Sequence, residues 1–251
     1  MSDERLPPSS LKGRLADVYV LALVTGSLDS LSRRLGNRAT IDDPVSGRAS
    51  SLASIEPLLT KVSAYFREHG ATYRHRASTT GVDRDLCEGV LEMTVDGGAC
   101  EMPIVVVAER RRLREIELRV YYAPPGAPAG RPPRAKLALG PRPVTLPQLV
   151  AHVVDALRKG AVERVLSAFD GPSRIVDTHG RAHAKRDGTM GTFVGDLGAR
   201  VELEPAGSAD DGRTCGVEGM LALPGREPVP AVLAFERGDT GLIRELRLYY
   251  E

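Results

Sequence analysis

The pattern of apolar and polar positions runs through the same order twice along this chain. Apolar residues three and four positions apart predict an amphipathic helix near residues 11–23, and the same spacing recurs near 149–157. Shorter helical patterns follow each of these segments, and apolar-rich segments of strand length come after them. Because the helices come first and the strands last in both halves, we predict two α+β units, each with helices packed on one face of an antiparallel sheet.

The remaining elements are predicted from the same spacing. Short second helices are expected at 28–35 and 161–169, and third helices at 55–69 and 187–197. A turn is expected after each of the aspartates Asp43 and Asp177. Strands are predicted at 72–76, 86–94, 102–109 and 113–122 in the first half, and at 200–204, 215–223, 229–237 and 242–250 in the second.

Local sequences of the two halves also match, which indicates a tandem duplication. Asp43 follows Gly26 by 17 positions, and Asp177 follows Gly160 by 17 positions. Strand segments correspond as well: Glu88-Gly89-Val90-Leu91 with Glu218-Gly219-Met220-Leu221, and Arg119-Val120-Tyr121-Tyr122 with Arg247-Leu248-Tyr249-Tyr250. A repeat of this kind means that one structural unit occurs twice.

A proline- and glycine-rich stretch separates the two copies. Proline removes backbone donors and glycine favours disorder, so residues 124–143 are predicted to be a linker. The first domain is therefore expected at 12–123 and the second at 144–251.

Composition narrows the possible partners. A chain of 251 residues with 42% hydrophobic content can form two packed cores, and a net charge of +1 gives no general attraction to nucleic acid or to acidic membranes. The sequence has no apolar run of the roughly 18 residues that a membrane helix needs, and its N-terminus lacks the apolar core of a signal peptide. Three cysteines without metal-ligand spacing are expected to be reduced. We therefore expect a cytoplasmic protein with no nucleic-acid or membrane partner.

The residues around the first aspartate resemble a known family. Tyr19-Val20-x-Ala22-Leu23, Gly26 and Asp43-Pro44-Val45 resemble the nuclear transport factor 2-like superfamily, and within it the SnoaL-like and ketosteroid-isomerase-like proteins. The resemblance covers almost all of both halves outside the tail and the linker. It implies two cone-shaped, curved antiparallel sheets wrapped on N-terminal helices. It also implies that the halves pack as an intrachain pseudo-dimer, so that the chain can be a monomer.

The resemblance also implies roles for two residues. In ketosteroid isomerases an aspartate transfers a proton and a tyrosine donates a hydrogen bond to the enolate oxygen. By position these would be Asp43 and Tyr19, and no cofactor is implied. The sequence departs from the family pattern at Val105, where those enzymes carry a second, protonated aspartate after Pro-Ile. It departs again at Val153, which stands in the place of Tyr19 in the second half. Losing one such donor costs about 10²–10³ in rate.

Residue chemistry by itself leaves Asp43 open to two interpretations. A carboxylate in an apolar pocket loses hydration and becomes a better base, and a facing tyrosine hydroxyl can stabilise negative charge on a carbonyl oxygen. Alternatively, Asp-Pro simply opens a turn in which the aspartate accepts local backbone hydrogen bonds. The neighbouring Asp42 is expected to face solvent.

The other candidate residues are weaker. Asp177 and His179 are secondary catalytic candidates, because histidine titrates near neutral pH. His183 gives Asp177-x-His179-x-x-x-His183 a faint resemblance to a metal site, but the loop position argues against it, and no metal is expected. The pocket is expected to be lined by Val105, Val107 and Tyr121.

The leading hypothesis is cofactor-free proton transfer, of isomerase or cyclase type, on an apolar small molecule that bears a carbonyl group. One alternative is a non-catalytic small-molecule-binding or scaffold protein, whose hollows are filled by its own side chains. A further alternative is an epoxide hydrolase or cyclase, which requires a second carboxylate near Asp43, such as Glu68. Val153 in place of tyrosine fits the hypothesis that the second copy has lost activity and braces the first.

Overall fold

The structure is a computed structural model that describes residues 15–27, 31, 34, 35, 38–111, 115–123, 134, 136–138, 143–197 and 201–250. The chain divides into two compact units, Met1–Pro132 and Pro133–Glu251. Most of the predicted linker and of the predicted helix at 28–35 lies outside the described residues. Among the residues that the structure describes, no helix is long and apolar enough to cross a membrane.

The two units have the same arrangement of strands. Each contains a six-stranded sheet, with the order β2-β1-β6-β5-β4-β3 in the first unit and β8-β7-β12-β11-β10-β9 in the second. The first unit consists of α1 (Leu15–Thr25), β1 (Ala39–Asp43), β2 (Gly47–Ala49), α2 (Leu52–Glu68), β3 (Thr72–Thr80), β4 (Arg84–Val95), β5 (Gly98–Arg110) and β6 (Ile116–Tyr121). The second consists of α3 (Gln148–Arg158), α4 (Val162–Ser167), β7 (Phe169–Val176), β8 (Ala182–Ala184), α5 (Thr189–Asp196), β9 (Glu202–Asp210), β10 (Thr214–Ala222), β11 (Val229–Arg237) and β12 (Ile243–Tyr250).

The predicted α+β class is confirmed, with one correction to the sheets. β1 pairs with β6 in the parallel direction, and β7 pairs with β12 in the same way, so each sheet is mixed rather than wholly antiparallel. The region predicted as a turn after Asp43 is a short hairpin, in which Asp43 pairs with Gly47. These strands are too short to show a period of two in the sequence, which is why the pattern indicated only the turn.

Helix α2 begins earlier than the apolar pattern indicated because a capping box fixes its start. The Ser51 hydroxyl accepts the Ser54 amide at 3.3 Å, and the Ser54 hydroxyl accepts the Ser51 amide at 3.1 Å. These bonds satisfy two backbone donors that a helix N-terminus otherwise leaves without partners.

Strand alternation decides which residues form each core. In β5, Ile104, Val106 and Ala108 belong to the core that contains α1 and α2, while Val105 and Val107 point to the opposite face of the sheet. In β11, Ala231, Leu233 and Phe235 face the helices in the same way. The packing of the two units against each other as a pseudo-dimer stays a prediction.

Candidate functional site

Asp43 lies at the end of β1 and is only 1% exposed. Its Oδ1 atom accepts the backbone amides of Val45 at 3.0 Å and Ser46 at 2.8 Å. This is the local turn geometry that aspartate forms before proline. Part of the carboxylate is therefore committed to holding the β1–β2 turn.

The tyrosine that contacts Asp43 is Tyr122. Its phenol donates to Asp43 Oδ2 at 3.1 Å and Oδ1 at 3.3 Å. Tyr122 directly follows β6, and its ring packs against Phe66 of α2 with the ring centroids 6.1 Å apart. The phenol therefore links the aspartate to the core between the helices and the sheet.

Tyr19, the tyrosine indicated by the resemblance, lies in the same core. It is fully buried on α1 and belongs to one cluster with Phe66 and Tyr122. The first unit thus holds two phenols, of Tyr19 and Tyr122, within the apolar core that Asp43 borders.

The residues expected to line a pocket lie on one face of the first sheet. Val105, Val107 and Tyr121 are buried, but they lie on the sheet face directed away from α1 and α2. The register places Tyr122, rather than Tyr121, on the helix side. Asp42, expected to face solvent, is 5% exposed and therefore buried. A shift of one position along a strand moves a side chain to the other face, and the sequence does not fix that choice.

Asp177 forms a similar turn in the second unit but has different side-chain partners. Its Oδ1 accepts the amides of His179 at 2.9 Å and Arg181 at 3.0 Å. Its Oδ2 accepts the Arg181 guanidinium at 2.7 Å and lies 3.4 Å from His183 Nε2. Burial acts to raise the pKa of Asp177, but the hydrogen bonds from Arg181, His179 and His183 outweigh it and hold the pKa below its ordinary value. The His179 side chain is exposed and contributes only its backbone amide to this arrangement.

The core of the second unit lacks a phenol at the position that corresponds to Tyr19. Val153 on α3 is fully buried, as is expected for the counterpart of Tyr19. A cavity of about 20 Å³ remains beside Tyr250, and the other residues around it are apolar. Ligand pockets usually have volumes of about 300–1,000 Å³, so this cavity is far too small for an organic ligand.

A second polar cluster lies in the first unit, and no sequence motif indicated it. Asp17 on α1, His75 on β3 and Cys87 on β4 each direct a ligand-type atom into one place, and these atoms all lie within 4.8 Å of one another. They are too far apart in the sequence to form a recognisable motif. One difference between the two halves does point to this cluster. The corresponding positions of the second half are Ala151, Pro205 and Val217, none of which binds metals.

Comparison with known proteins gives fold neighbours and no close relative. No protein-family model and no curated protein matches the sequence. Similar solved structures include the epoxide hydrolase/cyclase-like enzyme SalBIII, which is 20% identical over 41% of this chain and 88% of its own, with a TM-score of 0.37. An NTF2-like protein of unknown function from Cytophaga hutchinsonii is 9% identical over 43% of this chain and 96% of its own, with a TM-score of 0.37. A putative polyketide cyclase from Sinorhizobium meliloti is 16% identical over 48% of this chain and 99% of its own, with a TM-score of 0.33.

The superfamily that the sequence resembled is thus represented among these neighbours. Each likeness extends over less than half of this chain, and each TM-score is below 0.5. The neighbours therefore carry no conclusion about substrate, reaction or residue roles.

Proposed function

We propose that the first unit transfers a proton to and from an apolar small molecule that bears a carbonyl group. The observation that carries the proposal is the buried pair formed by Asp43 and Tyr122, whose hydroxyl lies 3.1 Å from Asp43 Oδ2. The pair borders a core that also contains Tyr19. A carboxylate and phenols in apolar surroundings can supply the base and the oxyanion donor that proton transfer next to a carbonyl uses.

In this proposal Asp43 accepts the proton, and its bonds to Val45, Ser46 and Tyr122 fix its orientation. Tyr19 donates a hydrogen bond to the substrate oxygen, where negative charge develops. A positioned general base contributes about 10²–10⁴ to the rate, and one oxyanion donor about 10²–10³. The reaction is an isomerisation or cyclisation that uses the protein's own residues.

The second unit supplies the contrast that supports this assignment. Asp177 is held by the Arg181 guanidinium at 2.7 Å, and Val153 replaces the phenol on the first helix. A carboxylate with a cationic partner and a pKa held below its ordinary value is a weak base. The second unit is therefore proposed to be structural.

A second candidate is a non-catalytic binding or scaffold protein. It is favoured by the two turn amides on Asp43, because the same kind of turn recurs at Asp177. Under this interpretation each aspartate stabilises the turn of its own hairpin, and the hydrogen bond from Tyr122 connects the first hairpin to the core.

Proton exchange in D₂O separates the two candidates. The full chain is incubated with a panel of apolar ketones, and deuterium incorporation next to the carbonyl is followed by NMR. Asp43→Asn is the test variant, because an asparagine oxygen still accepts the amides of Val45 and Ser46. We expect it to slow exchange by about 10²–10⁴, and Tyr19→Phe by about 10²–10³.

Asp177→Asn is the matched control and should leave the exchange rate unchanged. Loss of exchange in Asp177→Asn with retention in Asp43→Asn would refute the assignment. Ketone binding without exchange in the parent protein would favour the binding protein instead. Conversion of apolar epoxides to diols, with no exchange in ketones, would favour the epoxide hydrolase alternative.

A further inference from the structure

The cluster of Asp17, His75 and Cys87 combines the three ligand types of a transition-metal site. The side chains offer a carboxylate oxygen, an imidazole nitrogen and a sulfur atom, all within 4.8 Å of one another. Asp17 and Cys87 are buried, whereas His75 is half-buried. A cluster of this composition is uncommon in an apolar core, because buried polar groups are costly unless they have partners.

We infer that Asp17, His75 and Cys87 form a binding site for a divalent metal ion of the Zn²⁺ type. Zn²⁺ accepts oxygen, nitrogen and sulfur ligands at about 2.0–2.3 Å, which places tetrahedral ligand atoms about 3.4–3.7 Å apart. The present separations need to contract by only about 1 Å, which side-chain rotation can provide. Ca²⁺ and Mg²⁺ are disfavoured because they take oxygen ligands.

Surrounding residues already orient the three ligands. The Ser78 hydroxyl donates to Asp17 Oδ1 at 2.9 Å and lies 2.8 Å from His75 Nε2. The Tyr73 phenol lies 3.1 Å from Cys87 Sγ and donates to the Glu88 carbonyl oxygen at 3.1 Å. Partners of this kind fix the direction of metal ligands in known sites. The fourth ligand of a tetrahedral ion would be a water molecule, or the Ser78 hydroxyl if it exchanged its present hydrogen bonds for the metal.

The sheet provides both the geometry and a route for entry. β3 is the edge strand of its sheet, and a β-bulge between His75 and Ala77 changes the direction of the side chains there. The half-buried His75 therefore connects the buried ligands to the edge of the sheet. The site is separate from Asp43 and does not depend on the proposed proton transfer.

Metal binding at this site must release a proton. Zinc binds cysteine as the thiolate, whereas a free cysteine thiol is mostly protonated at neutral pH. When Zn²⁺ binds, the S–H bond breaks, a bond between zinc and sulfur forms, and the proton leaves to solvent. Affinity should therefore increase with pH.

The experiment uses the full chain without a polyhistidine tag, after treatment with a chelator. Co²⁺ serves as the spectroscopic probe, because a thiolate ligand gives a charge-transfer band in the near ultraviolet. Zn²⁺ affinity is measured by competition with a chromophoric chelator. We expect one Co²⁺ per chain with a thiolate band, displacement by Zn²⁺, and proton release on binding.

Two test variants replace a proposed ligand with the residue type found at the corresponding position of the second unit. Cys87→Val introduces the residue at the corresponding position, Val217, and should abolish the thiolate band and weaken Zn²⁺ binding by more than about 100-fold, which is the upper range for losing an outer-shell partner. Asp17→Ala, which introduces the residue type of Ala151, should weaken binding while retaining the band. Cys215→Ser removes a buried thiol of the second unit and should change neither. Failure of the parent protein to bind one Co²⁺, or a thiolate band that persists in a folded Cys87→Val variant, would overturn the inference.

Discussion

Replacing Gly89 on β4 by alanine is expected to destabilise the first unit, because the ring of Tyr73 occupies the space that the alanine Cβ would need. A Cβ atom at position 89 would lie 2.2 Å from Tyr73 Cε2 and 2.6 Å from the phenol oxygen. Real Cβ contacts are not this short, so in Gly89→Ala the ring must move. Its hydrogen bonds to the Glu88 carbonyl and to Cys87 Sγ are then lost.

The expected cost follows from these contacts. Inserting a methyl group into a packed site costs about 1–3 kcal/mol, and each lost hydrogen bond adds about 0.5–1.5 kcal/mol. Because part of the strain is relieved when the ring moves, we expect Gly89→Ala to lower the free energy of unfolding of the first unit by about 2–4 kcal/mol. Urea unfolding followed by circular dichroism measures this change, and hydrogen exchange should locate the weakened amides in β3 and β4.

Two further variants test the close packing of Tyr73 on Gly89. Gly171→Ala on β7 is the control, since a Cβ there meets no atom of the described residues within 4 Å, and it should change stability by less than about 0.5 kcal/mol. In a Tyr73→Ala background, Gly89→Ala should cost little, because the obstructing ring is gone. If Gly89→Ala unfolds at the same urea concentration as the parent, or costs as much without Tyr73 as with it, the close packing of Tyr73 on Gly89 is refuted.

The other predictions concern a titration and a helix cap. The folded-state pKa of Asp177 is lowered, because its hydrogen bonds from Arg181, His179 and His183 outweigh the effect of burial. Its contribution to stability is therefore complete above the ordinary value of 3.8 and is lost as the pH falls through the lowered pKa. The difference in unfolding free energy between the parent and Asp177→Asn should be largest at neutral pH and shrink in acid, and a difference that grows in acid would contradict the assignment. Ser51→Ala removes the hydroxyl that accepts the Ser54 amide and should destabilise α2 by about 1 kcal/mol. Ser51→Thr is the control and should retain most of the cap. Equal unfolding midpoints for Ser51→Ala and the parent would show that the cap contributes nothing to stability.

Among the predictions from the sequence, those of the long strands agreed best with the structure. The segment 229–237 was predicted as a strand and is β11 with the same bounds, and 102–109 lies within β5. Long apolar runs with flanking turns identify strands without knowledge of their neighbours. The short β1–β2 hairpin and the parallel pairing of β1 with β6 were not predicted, because they depend on contacts between distant parts of the chain.

In the candidate site, too, the sequence indicated the local turn but not the contacts between distant residues. The sequence singled out Asp43 and the structure places it in a buried turn, but the phenol that contacts it comes from Tyr122, 79 positions away. Choosing between Tyr121 and Tyr122 requires the register of β6 against β5, and this register also turned Val105 and Val107 away from the helices.

By itself, then, the sequence determined that the chain contains two related α+β units and that their aspartates occupy equivalent turns, because repeats, periodicity and turn chemistry are local properties. Only the tertiary structure decided which side chains meet: Tyr122 with Asp43, Arg181 with Asp177, and Asp17 with His75 and Cys87. Strand register and helix packing determine these contacts, and both depend on the whole core of each unit rather than on any short stretch of sequence.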